Sequence, residues 1–130
     1  MTRFSNEFDV TRNVRTTDPV AVNREVDRIF LELYSDASTD RLDRAFSDIT
    51  RLFAGEFPGF RPCDTPYHDI QHTLDVTLAM ARLVDGYERA RTRGMESFDA
   101  ELFQLGVITA MFHDIGYLRT EDDIKARKHK

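Results

Sequence analysis

Four stretches of this 130-residue chain repeat apolar residues at intervals of three and four, and no stretch alternates apolar with polar over the length of a strand. That pattern restricts the chain to helices packed on helices. Val22, Val26, Ile29, Phe30 and Leu33 mark a first helix, opened by Asp18 as N-cap and Pro19 at the first helical position, and ending near Tyr34. Leu42, Ala45, Phe46, Ile49, Leu52 and Phe53 mark a second, from about Asp40 to a stop at Gly55. Pro58, Gly59, Pro62 and Pro66 then make residues 56–66 an irregular loop. A third helix is expected from Tyr67–His68 to about Arg91, with Ile70, Leu74, Leu78, Met80, Ala81 and Val84 as its apolar contacts.

After a turn around Gly94, Ser97 is expected to cap a fourth helix, with Asp99 and Glu101 in its first turn. Leu102, Phe103, Leu105, Val107, Ile108, Met111 and Phe112 make that helix apolar nearly all round, so it is expected at the centre of the fold. Gly116 breaks it, and Thr120 opens a last helix that runs from Glu121, Asp122 and Asp123 to Lys125, Arg127 and Lys128. Residues 1–17 are polar and aperiodic and read as a flexible arm. The expected fold is therefore all-α, one helical bundle of about five helices over residues 18–130.

A net charge of −5 argues against a nucleic-acid partner, which calls for a basic face. Cys63 is the only cysteine, so no intramolecular disulfide forms, and a reducing, cytoplasmic location is expected. The opening MTRFSNEFDV has no apolar run and reads as no signal peptide. No apolar run is long enough to cross a membrane, so no membrane partner is expected.

Chemistry concentrates in the histidines. Of four, three fall in two compact motifs, and His129 is left as a residue of a basic helix end. The first motif runs Tyr67-His68-Asp69-Ile70-Gln71-His72-Thr73-Leu74-Asp75-Val76. On a helix, His68, His72 and Asp75 share one face at spacings of four and three. The second motif, His113-Asp114, closes the most apolar helix, where charged groups cost free energy unless paired or bound to a metal. Imidazole nitrogen and carboxylate oxygen both suit divalent metals. If the third and fourth helices pack antiparallel, the start of one meets the end of the other and His72 joins His113-Asp114.

These residues resemble the HD superfamily of metal-dependent phosphohydrolases over about residues 64–118. The first motif is similar to the phosphodiesterase signature YHNxxHxxDV, with Asp69 in place of the usual Asn. His113-Asp114-Ile115-Gly116 is closer to the HDIG opening of bacterial HD proteins and departs from the phosphodiesterase pattern HDxxHxGxxN. The resemblance implies that His72, His113 and Asp114 hold one or two divalent ions (Mn, Fe, Zn or Mg), with Asp114 placed to bridge a pair. It implies that His68 gives a proton to the leaving oxygen, and that Tyr67, Asp69 and Asp75 orient the imidazoles or meet substrate. The substrate implied is a small phosphoester, a cyclic or other nucleotide phosphodiester first; no organic cofactor is implied.

The family's fourth ligand is a downstream Asp. Asp122 and Asp123 fall too early for it, so this chain is expected to be the N-terminal part of an HD domain, a weak catalyst alone. Self-association is expected to cover an apolar face. The alternative is a non-catalytic regulatory or interaction module derived from the HD fold, with an incomplete metal site.

Overall fold

The structure, a computed structural model, describes residues 14–56 and 66–113, of which Pro66–Asp69 by their backbone alone. Among the described residues there are four helices and no strand: α1 Pro19–Leu33, α2 Asp40–Phe53, α3 Pro66–Ala90 and α4 Ala100–Phe112. The fifth helix expected from Thr120 lies outside the described residues. No helix is long and apolar enough to cross a membrane among those described.

Each boundary has a local cause. Asp18 Oδ1 accepts from Val20 N at 3.0 Å, and Pro19 supplies a preset φ for the first turn of α1. Substituting Asp18 by Ala should therefore cost about 1 kcal/mol, read as a lower urea midpoint at unchanged slope. At the end of α2, Glu56 N reaches Arg51 O at 2.9 Å and Gly55 N reaches Leu52 O at 3.1 Å. This paired closure needs a left-handed residue, and Gly55 provides it at φ 76°.

α4 corrects the expected cap. Asp99, not Ser97, opens the helix, its carboxylate accepting from Leu102 N at 2.8 Å. Ser97 is drawn away by α3: its hydroxyl donates to Glu88 Oε2 at 2.9 Å, and Phe98 N donates to Glu88 Oε1 at 2.6 Å. Two backbone-adjacent donors thus hold the Glu88 carboxyl below the usual carboxylate range.

Contacts far apart in sequence set the topology. α1 and α2 follow one another and pack together, with Asn23 of α1 donating to Asp43 of α2 at 2.8 Å. α3 runs parallel to α1, joined at one end by Gln71 to Thr16 (3.4 Å) and at the other by Arg89 to Glu32 (3.0 Å). α4 returns antiparallel along α3. The core is built from Val22, Val26, Ile29 and Phe30 of α1, Leu42, Phe46 and Ile49 of α2, Leu74, Leu78 and Ala81 of α3, and Phe103, Val107 and Met111 of α4. Phe30 stands at its aromatic centre, with ring centroids 5.2 Å from Phe103 and 5.3 Å from Tyr34. The Tyr34 hydroxyl donates to Phe98 O at 2.6 Å, so one side chain ties the end of α1 to the α3–α4 loop.

Two further expectations change. Within the expected arm, Val14 and Thr16 are buried against the core, so residues 14–17 belong to the packed body; residues 1–13 lie outside the described residues. α4 is not the central helix. It packs on α3 and α2, meets α1 through the Phe103 and Phe30 rings, and leaves Leu102 and Leu105 exposed, at 45% and 63%. The physical reason is geometric: the neighbouring helices cover only the face of α4 that carries Phe103, Val107 and Met111, and the face with Leu102 and Leu105 is left open.

Candidate metal centre

α3 begins within one residue of its expected start, so the motif from Tyr67 to Val76 lies on continuous helix. His72 and Asp75 are both exposed, one turn apart. α4 ends at Phe112, and His113 is its C-cap, also exposed. The antiparallel packing of α3 and α4 brings the start of one beside the end of the other. The rings of His72 and His113 stand 6.4 Å apart between centroids and are inclined at 51°.

That separation bears on a shared ion. Zinc–nitrogen bonds of about 2.0–2.1 Å put each ring centroid roughly 3.2 Å from the metal, so two imidazoles on one tetrahedral ion have centroids about 5 Å apart. The two rings are about 1 Å wider than that, a distance that side-chain rotation at two exposed positions can close.

The His113 ring has a defined aim. Its Nδ1 lies 2.5 Å from Ala110 O, one helical turn back, and in the neutral ring that contact requires a proton on Nδ1. The lone pair of the neutral ring then belongs to Nε2. A backbone carbonyl on one ring nitrogen, leaving the other for a ligand, is the usual way a metal-binding imidazole is oriented. Imidazole nitrogen is a ligand type that divalent first-row ions accept.

The remaining expected residues divide as follows. His68 and Asp69 sit on the backbone of α3 four and three residues before His72; their side chains, with that of Tyr67, lie outside the described residues. Asp114, Cys63, Asp122, Asp123 and His129 also lie outside them. Among the described residues, no group of three or more His, Cys, Asp or Glu is close enough to hold a metal. The two imidazoles are thus the candidate ligands among the described residues.

Sequence reading missed two polar features. One is a depression of about 320 Å³ at the other end of α4, lined by Ser38, Asp40, Arg41, Glu101 and Gln104. Gln104 is 8% exposed and its Oε1 has no hydrogen-bond partner. The other is a pair of carboxyls, Asp27 and Asp43, between α1 and α2. Asp27 follows buried Val26, and its position on the flank of the apolar stripe was the available signal. No family model, curated protein or solved structure matches the chain.

Proposed function

We propose that this chain carries the metal-binding helices of an HD-type phosphohydrolase that hydrolyses a phosphoester, a cyclic-nucleotide phosphodiester first among them. The observation that carries this reading is the pairing of His72 and His113 from two helices, 6.4 Å between ring centroids, with His113 Nδ1 engaged by Ala110 O. His72, His113 and Asp114 would hold the ion, Mn, Fe, Zn or Mg. A bound ion supplies charge that polarises a phosphoryl oxygen and acidifies water.

The chain's own residues do the rest. His68 holds a proton and gives it to the departing oxygen, work suited to an imidazole near neutral pH. Asp75 and Asp69 orient imidazoles by accepting from their ring nitrogens. Self-association over the exposed Leu102 and Leu105 belongs to the same reading.

The experiment is metal loading followed by assay. The purified chain and a His113→Ala variant are loaded with Mn, Fe, Zn or Mg, freed of excess, and measured for metal content. Both are then assayed on bis-p-nitrophenyl phosphate and on cyclic nucleotides. The expected result is metal retained by the native chain and lost by the variant, with turnover following the metal. A native chain that retains no ion under any loading condition would sink the proposal. Metal retained without turnover of any phosphoester would favour the non-catalytic module instead.

A further inference from the structure

The seam between α1 and α2 contains two carboxyls that touch. Asn23 Nδ2 donates to Asp43 Oδ1 at 2.8 Å, and Thr39 Oγ1 donates to Asp43 Oδ2 at 2.9 Å. Both oxygens of Asp43 therefore accept from neutral donors. Asp27 receives none of this: its Oδ1 is buried with no hydrogen-bond partner, and its contact is the Asp43 carboxyl itself. Two ionised carboxylates cannot hydrogen-bond to one another, so the contact requires a proton. The donors mark Asp43 as the charged member, and the proton falls to Asp27.

Neither Asp27 nor Asp43 is in an ion pair among the described residues. On α1, the Arg28 guanidinium is taken by Glu25 and Glu32, the latter at 2.7 Å. From α3, Arg89 is taken by Glu32 and Asp85, at 3.0 and 2.8 Å. The ion pairs of Arg51 with Glu56 and of Arg91 with Glu88 lie elsewhere. The side chains that hydrogen-bond to the pair are Asn23 of α1 and Thr39 at the N-cap of α2.

We propose that Asp27 and Asp43 form a one-proton clasp between α1 and α2, a pH-sensitive device that holds the two helices together while the proton is present and weakens their contact when it leaves. The proposal does not rest on the histidine reading. Burial first, then the hydrogen bond and charge of Asp43, push the Asp27 carboxyl up to about 8. The hydrogen bond from Asp27 holds the Asp43 carboxyl below its ordinary value, against the opposing effect of burial. The raised group contributes stability that is whole below the ordinary carboxyl range and is lost as pH rises toward about 8. The lowered group contributes stability that is whole above that range and is lost as pH falls through its lowered value. The clasp is therefore strongest in weak acid and released in weak alkali.

The test follows the melting temperature of the full chain from about pH 5.5 to about pH 9. The native chain should lose stability across that interval. Asp27→Asn keeps a donor to Asp43 without a titrating proton, so it should flatten the decline and melt above the native chain at the alkaline end. An unchanged slope in Asp27→Asn would overturn the clasp. Should that variant fail to fold, infrared spectra of the native chain with isotope-labelled aspartate decide the matter. A protonated carboxyl band at neutral pH that disappears in weak alkali supports the proposal, and its absence at neutral pH refutes it.

Discussion

Phe30→Ala should remove about 3–5 kcal/mol, the range for truncating a fully buried Phe. Domains of this kind have roughly 5–15 kcal/mol to lose, so the variant should stand at or near the edge of unfolding at room temperature. Phe30 is 0% exposed and meets both Phe103 and Tyr34, which belong to different parts of the chain. Truncation leaves a void where α1 meets α4, and the Tyr34 ring, whose hydroxyl is fixed to Phe98 O, cannot swing in to fill it without breaking that bond. Urea unfolding checks the magnitude. A double-mutant cycle with Phe103→Ala should add a coupling of about 0.5–1.5 kcal/mol for the tilted ring pair. A loss below about 1 kcal/mol would mean that the core collapses readily there, against the close packing described.

His68→Ala should separate proton donation from metal binding. On the proposed mechanism it lowers turnover about 10²–10⁴-fold for a cyclic nucleotide, whose leaving alkoxide needs a proton. It should do far less to bis-p-nitrophenyl phosphate, because p-nitrophenolate departs without one. Metal content should be unchanged, whereas His72→Ala should lose metal and turnover on both substrates together. Equal losses on the two substrates for His68→Ala would remove that residue from the donor role. Metal loss in the same variant would make it a ligand.

The helices were legible because their signals are local. Asp18-Pro19 and Gly55 act within one turn of themselves, and both appear where the pattern places them. Ser97 misled because its hydroxyl answers to Glu88, on another helix, and nothing within a few residues of Ser97 announces that contact. Val14 and Thr16 were read as part of an arm because they have no helical period, yet packing needs only a surface to lie on. The apolar character of α4 signalled burial but not how many neighbours would supply it.

In the site, His72 near the start of α3 and His113 at the end of α4 come side by side because the two helices pack antiparallel, the condition stated from the sequence. The Asp27–Asp43 contact was not legible, because it depends on the rotation of α1 against α2. Each carboxylate alone reads as an ordinary solvated residue of a polar helix face.

The parallel course of α1 and α3 has a consequence for the order in which the chain can assemble during synthesis. α1 and α2 are neighbours in sequence and can meet as soon as both have emerged. The partner that closes the other side of α1 lies far downstream: Gln71 is 55 residues from Thr16, Arg89 is 57 from Glu32, and Phe98 is 64 from Tyr34. Until those residues leave the ribosome, the apolar row of Val22, Val26 and Phe30 has only α2 to cover it. Loop closure over such spans is slow compared with pairing two helices adjacent in sequence. The nascent chain therefore passes through an interval in which a half-covered pair of helices is the species open to chaperones and to premature self-association.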